Sequence, residues 1–245
     1  MSKASDKGLV ALVTGANKGI GLEIARQLGE RGITVLIGAR DPQRGMDARE
    51  RLRAEGIAAH VVELDVTSQP SLDRAAGYVS ERFGKLDILV NNAGIYLEEK
   101  PPSGNDEATF MAIYETNVFG VMRATKTMLP LIRESAQGRI VNVSSSLGSL
   151  ALNGDPEFEF APFLSLGYNS SKTAVNAMTV FFANELRGTS VKINAADPGY
   201  CATEMNGFSG TKSARDGAKV AVRLAVLPAD GPSGGFFNDA GSVPW

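Results

Sequence analysis

The 245-residue chain has one cysteine and one histidine. Cys201 alone cannot close an internal disulfide and His60 alone cannot build a histidine-rich metal site, so Ser-His catalysis and metal-assisted hydrolysis are disfavoured and no metal is expected. An excess of positive charge is also missing. With 25 Lys+Arg against 27 Asp+Glu the net charge is −2, which gives no footprint for nucleic acid. Long apolar runs are lacking too: Val118 to Met122, and Ala218 to Leu227 with its Lys219 and Arg223, fall short of the roughly 20 apolar residues that span a bilayer. Met1 to Gly8 is short and polar and has neither the apolar core nor the small-residue cleavage site of a secretory signal, so a cytoplasmic location and no membrane association are expected. No internal repeat, low-complexity tract or Pro/Gly/Ser linker divides the sequence, and one domain over 1–245 is expected.

What the sequence does contain is a steady alternation of apolar runs and amphipathic stretches. Leu9–Thr14 precedes Ile20–Glu30, Thr34–Ile37 precedes Gly45–Ala54, Ala58–Glu63 precedes Leu72–Phe83, and Leu86–Val90 precedes Phe110–Ile132. Arg139–Ser144, Tyr168–Leu186, Val191–Ala195, Ser213–Leu227 and Gly234–Phe237 continue the series. Strands that are apolar throughout are buried on both faces. The pattern therefore predicts an α/β protein with a doubly wound Rossmann fold, its seven-stranded parallel sheet flanked by helices.

The first strand runs into Thr14-Gly15-Ala16-Asn17-Lys18-Gly19-Ile20-Gly21 and then directly into a helix. Glycines in a strand-to-helix turn let the backbone approach a pyrophosphate closely and aim the positive end of the helix at it. A bare tight turn is the alternative, which the flanking strand and helix weigh against. After the second strand comes Gly38-Ala39-Arg40-Asp41. A basic residue here pairs with the 2′-phosphate of NADP, whereas an acidic one accepts hydrogen bonds from the ribose of NAD. Arg40, with Lys18 as a second charge, favours NADPH/NADP. Asp41 as an NAD-selecting carboxylate is the rival reading, against its use as the cap of the next helix before Pro42.

These motifs, with Asp65 after the third strand, Asn91-Asn92-Ala93-Gly94, Asn117, Ser145, Tyr168-xxx-Lys172 and Pro198-Gly199 with Thr203, resemble the short-chain dehydrogenases/reductases over nearly the whole chain. Gly15 to Gly21 together with Ala39-Arg40-Asp41 and Arg44-Gly45 looks most like their NADPH-dependent carbonyl reductase branch. The resemblance implies that Gly15, Asn17, Lys18, Gly19, Ile20, Gly21 and Arg40 bind the cofactor. It also implies that Asp65 and Val66 flank the adenine, that Asn91, Ala93 and Gly94 line the ribose side, and that Pro198, Gly199 and Thr203 hold the nicotinamide carboxamide. Asp65 as a helix cap and Asn91 as a strand end are the structural alternatives.

Tyr168 and Lys172 are four apart, so on one helix they lie a turn from each other on the same face. An unperturbed tyrosine titrates near ~10, and a nearby ammonium is expected to lower that value, making Tyr168 an acid for the alkoxide left by hydride addition. Ser145 is read as the hydrogen-bond donor to the substrate oxygen. The run Ser144-Ser145-Ser146 leaves a register ambiguity, in which the family pattern selects the second serine. Asn117 resembles the family asparagine that holds a water for the relay to Lys172; an amide satisfied within its helix is the alternative.

Ser145 and Tyr168 are 23 residues apart, about ten more than is usual in the family. The extra segment at about 150–166 resembles a short form of the carbonyl reductase insertion. It is expected to wall the pocket and to bear on the helix face through which many members form tetramers, so monomer and homo-oligomer both stay open. The substrate pocket is expected to use Tyr96, Ser145, Leu147, Phe163, Tyr200, Met205 and Phe208, the last three from a loop at about 200–212. Its apolar lining suits a hydrophobic ketone, aldehyde or quinone. A dinucleotide-binding regulator without chemistry, a ketoacyl thioester reductase and a polyol dehydrogenase remain as other readings.

Overall fold

The computed structural model describes residues 8–245. Along the chain run β1 (Val10–Thr14), α1 (Gly19–Gly29), β2 (Thr34–Ala39), α2 (Pro42–Ala54), β3 (Ala59–Glu63), α3 (Gln69–Phe83), β4 (Ile88–Asn91) and α4 (Glu107–Tyr114). They are followed by α5 (Gly120–Arg133), β5 (Arg139–Val143), α6 (Leu150–Asn153), α7 (Leu166–Glu185), β6 (Lys192–Ala196), α8 (Ala214–Ala225), β7 (Phe236–Asn238) and β8 (Gly241–Ser242). All the strands join one sheet in the order β3-β2-β1-β4-β5-β6-β7-β8.

Period-two alternation divides each strand between two cores. In β1, Ala11 and Val13 pack with Ile24 and Leu28 of α1 and Val220 and Leu224 of α8. Val10 and Leu12 face the other way, onto Leu72 and Val79 of α3 and Met128 and Ile132 of α5. Helices thus cover both faces, which is why the strands carry no polar alternation. Among the described residues no helix is long and apolar enough to cross a membrane.

Two expectations are corrected. The sheet has eight strands rather than seven, because the chain doubles back after β7 and pairs Phe237 with Ser242 and Asn238 with Gly241 in antiparallel register. Asn238 Oδ1 holds the connecting turn by accepting from Ala240 N at 2.9 Å and Gly241 N at 3.1 Å. A two-residue strand is too short to leave a hydrophobic pattern. The helix expected over Phe110–Ile132 is also interrupted: α4 passes through a wide π turn, Glu115–Phe119, before α5 begins. Such turns insert a residue into a helix and often re-aim a side chain at a functional site. Here the turn carries Asn117.

Strand order reverses between β1 and β4, whose crossovers go to opposite sides, and a crevice opens beyond their carboxyl ends. Thr14, at the end of β1, is buried and ties the two strand ends together. Its hydroxyl accepts from Asn92 N at 3.0 Å and Ala93 N at 2.9 Å and reaches Val90 O at 3.4 Å. Asn92 Nδ2 answers by donating to Thr14 O at 2.9 Å and Gly15 O at 3.3 Å. Thr14→Val keeps the shape but takes away the acceptor of Ala93 N and leaves Asn92 N with Val90 O alone, at 3.1 Å. The variant should lose about 2 kcal/mol of stability, seen as a lower urea midpoint at unchanged slope; an unaltered midpoint would refute the role of the hydroxyl.

Candidate active site

A cleft of about 450 Å³ occupies the crevice. One wall is the turn from β1 into α1. Gly15 has φ +65, and a side chain there would come within 3.1 Å of Ala93 Cα; at Gly21 it would collide with Gly15 O at 2.6 Å. No side chain caps the first turn of α1, so its N–H groups remain available to an anion. Asn17, Lys18, Gly19 and Ile20 line the same wall, and Arg40, Asp65 and Val66 continue it past the ends of β2 and β3. Asp41 is the cap of α2, accepting from Gln43 N at 2.9 Å and Arg44 N at 3.2 Å. Asp65 accepts from Thr67 N at 2.9 Å and its hydroxyl at 2.7 Å, while Ser68 caps α3. Lys18 pairs with Glu204, which reaches over from the loop after Thr203.

The opposite wall brings Ala93, Gly94, Tyr168, Lys172, Pro198 and Thr203 together. Gly199, with φ +77, shapes its turn by donating its N–H to Asp197 Oδ1 at 2.9 Å and does not itself line the cleft. Asn91 is not brought to the cleft either. As the last residue of β4 its side chain points into the sheet's helical cover and donates to Thr125 Oγ1 at 3.0 Å and Asn142 Oδ1 at 2.8 Å. Asn92, the next residue and therefore on the other face, lines the cleft in its place.

The structure distinguishes the three serines by their partners. Ser144 is buried and donates to Asn176 Oδ1 at 2.6 Å, and Ser146 bonds Asp197. Ser144 lines the cleft and Ser145 does not; Ser145 Oγ accepts from Leu147 N at 3.2 Å, and its own proton has no acceptor among the described residues. Lys172 is buried, with Nζ donating to Val143 O at 2.9 Å and lying 5.7 Å from the centre of the Tyr168 ring. Asn117 is fully engaged: Oδ1 accepts from Ile95 N at 2.8 Å, and Nδ2 donates to Ile95 O at 2.9 Å and Ser171 Oγ at 3.1 Å.

Burial governs the electrostatics here. The expectation that Lys172 lowers the Tyr168 phenol is overturned, because desolvation and the negative charge of Asp197 push it well above its ordinary value and hold it protonated. Lys172 is pushed down to about 8 by burial, against the pull of Asp197. Asp197, buried behind the pair and itself raised by burial, escaped the sequence reading; its signal is the acid directly before Pro198-Gly199.

Of the residues expected around the substrate, Met205 and Phe208 line the cleft. Tyr96 and Phe163 form an aromatic flank beside it, with Tyr96 edge-on to Tyr168 at 5.7 Å and 5.8 Å from Phe163. Tyr200 stands against Phe160 of the insertion at 5.9 Å. Leu147 contributes its amide to Ser145. The insertion is anchored at both ends, by Ala151 N on Trp245 O at 2.9 Å and by Asn169 Nδ2 on Phe163 O at 3.1 Å.

The profile of the short chain dehydrogenase family matches residues 9–214, and the chain belongs to that family of NAD(P)-binding oxidoreductases. It is 38% identical to short-chain dehydrogenase anuI of Penicillium roqueforti (strain FM164) over 223 residues, covering 89% of this chain and 88% of the relative. It is 34% identical to carbonyl reductase 1 of Mus musculus, whose name specifies NADPH, over 278 residues that cover 96% of this chain and 98% of the relative. The solved structure of salutaridine reductase from Papaver somniferum superposes with a TM-score of 0.79 at 32% identity, covering 94% of this chain and 99% of that one.

The buried ammonium has a measurable consequence. Its folded-state value of about 8 lies below the ordinary 10.5, so between these limits the unfolded chain holds a proton that the folded chain has released. Stability therefore rises with pH across that window, and below it the charge costs stability in full. Lys172→Met, which removes the charge at similar length, should stabilise the fold at pH 7 by roughly 1–3 kcal/mol, net of the lost bond to Val143 O, and flatten the rise from pH 8 to 10.5. Urea unfolding over this range checks both.

Proposed function

We propose that the protein is an NADPH-dependent carbonyl reductase acting on a small, largely apolar ketone, aldehyde or quinone. The observation that carries the reading is the placement of Tyr168 and Lys172, one helical turn apart on α7, on the cleft wall that faces the glycine turn. The cleft fits a dinucleotide: the uncapped end of α1 offers its N–H groups to a pyrophosphate, bare Cα atoms at Gly15 and Gly21 let the turn pack closely on Asn92 and Ala93, and Arg40 stands exposed at the end of β2. When bound, the dinucleotide supplies the hydride.

The side chains supply the rest. Ser145 donates a hydrogen bond to the substrate oxygen as negative charge builds on it, and Tyr168 delivers its proton to that same oxygen. A phenol held protonated by burial is ready for this step in the reducing direction. Lys172 supplies positive charge beside it, and Asn117 fixes the backbone of Ile95 that borders the cleft. Arg40 and Lys18 hold the 2′-phosphate, with Pro198 and Thr203 at the nicotinamide end. Met205, Phe208, Tyr96 and Phe163 receive the apolar part of the substrate, which fits the reductases among the relatives.

NADPH should outperform NADH in catalytic efficiency. Arg40→Asp should lower the efficiency with NADPH by roughly 10–100-fold, the worth of a charge-assisted hydrogen bond, and bring NADH to parity or better. Steady-state comparison of the two cofactors checks this, and equal efficiencies for the unaltered enzyme would exclude phosphate recognition.

Tyr168→Phe removes one hydroxyl and little volume. Turnover of a carbonyl panel, followed by loss of NADPH absorbance, should fall by roughly 10²–10⁴-fold while NADPH still binds by fluorescence titration. Near-normal turnover would move the proton donor elsewhere.

A further inference from the structure

The first turn of α7 carries Tyr168 yet has no cap of its own. Ser165 occupies the capping position, but its side chain accepts nothing from the helix. The hydroxyl instead donates to Glu99, a half-buried carboxylate on the segment after β4. Glu99 takes over the capping: Oε1 accepts from Gly167 N at 2.6 Å and Oε2 from Tyr168 N at 3.0 Å, the N–H groups of the second and third residues of the helix. Asn105 Nδ2 adds a donor to Oε1 at 2.6 Å. Burial alone would push this carboxyl up, but the hydrogen bonds from Ser165, Tyr168, Asn105 and Gly167 outweigh it and hold it below its ordinary value.

A second observation shows that the local sequence is shaped around this contact. A side chain at Gly167 would come within 2.6 Å of Glu99 Oε1 and 3.1 Å of Ile113 Cδ1, so the residue before the tyrosine has to be bare for the carboxylate to enter. The same segment touches Tyr168 in two further ways. Tyr96 sets its ring edge-on to that of Tyr168, and Ile95 is clamped by Asn117, whose amide also donates to Ser171 Oγ. Ser171 Oγ in turn donates to Tyr168 O at 2.7 Å. Starting from Tyr168, the connections run through Glu99, the 95–99 segment, Asn117 and Ser171 and return to Tyr168.

We propose that Glu99 is a positioning residue for carbonyl reduction: by seating its carboxylate on the N–H groups of Gly167 and Tyr168, it fixes the frayable first turn of α7 and with it the phenol that delivers the proton. A helix end without a cap opens more readily than its middle, and a proton donor displaced by an ångström loses most of its effect. The charge also sits at the positive end of the α7 dipole. This proposal rests on the reading of Tyr168 as the proton donor.

The test uses Glu99→Gln, nearly isosteric but unable to offer four donors two negative oxygens, and Glu99→Asp, which keeps the charge one carbon short. Glu99→Gln should lower single-turnover reduction by roughly 10–100-fold while the NADPH dissociation constant stays within about twofold. Glu99→Asp should recover part of the loss, and an Asp variant no better than Gln would overturn the role of the charge. In the Tyr168→Phe background, Glu99→Gln should cost less than about threefold, because the group it positions is gone. A full, additive cost there would show that Glu99 acts on something other than Tyr168 and would overturn the proposal. Amide hydrogen exchange of the 165–170 segment gives a readout independent of activity. It should quicken at least about tenfold in Glu99→Gln, and unchanged protection would overturn the positioning role even if Tyr168→Phe proved active. Faster exchange beside an active Tyr168→Phe enzyme would instead retain the cap and overturn its link to proton transfer.

Discussion

The hydroxyl of Thr14 is the point from which the functional end of the molecule is built. Two parallel strands leave the sheet at its point of reversal, and nothing in sheet pairing fixes the loops that follow them. By accepting from Asn92 N and Ala93 N, Thr14 binds the exit of β4 to the exit of β1. Asn92 returns the bond to the carbonyls of Thr14 and Gly15. The glycine turn, the wall at Ala93 and Gly94, and the start of the segment leading to Tyr96 and Glu99 all inherit their positions from this exchange. Thr14 itself is buried, and its partners Asn92 and Ala93 lie half-buried at the edge of the cleft.

Beyond that anchor, the chemistry is set more by desolvation than by pairwise charge. Three titratable groups, Tyr168, Lys172 and Asp197, share one buried patch, and each is displaced in the direction that favours its neutral form. A lysine held near 8 still carries most of its positive charge at neutral pH, and it stands beside a phenol held well above its ordinary range and therefore neutral. Such a site pairs a positive charge already in place with an uncharged acid, the combination that stabilises negative charge as a reaction creates it. Arg40, by contrast, lies exposed on the same cleft, its charge open to water.

What could be read in the sequence was local. Glycines at a strand-to-helix turn, an i, i+4 pair of Tyr168 and Lys172, and apolar runs buried on both faces each declare themselves within a few residues, and the fold followed from them. What could not be read depends on which way a side chain turns or on partners far along the chain. Asn91 and Asn92 are adjacent and chemically identical, and only the strand's alternation sends one inward and the other to the cleft. The π turn hides inside an unbroken helical periodicity. The direction of the Tyr168 shift hangs on burial and on Asp197, neither visible in the Tyr-xxx-Lys spacing. Glu99 lies in an aperiodic stretch and meets its helix across 68 residues, so no window of sequence contains both partners.

That separation bears on how the protein comes to be folded. Most helices here carry their own start signal, as Ser68 does for α3 and Ser213 for α8, and can nucleate from neighbouring residues. The first turn of α7 cannot, since its capping group arrives only when the chain between β4 and α7, including all of β5, has been gathered in. Closing a loop of that length is paid in chain entropy before any contact repays it. The end of α7 that bears Tyr168 is therefore tied to contacts distant in sequence, whereas α3 and α8 carry their start signals beside them.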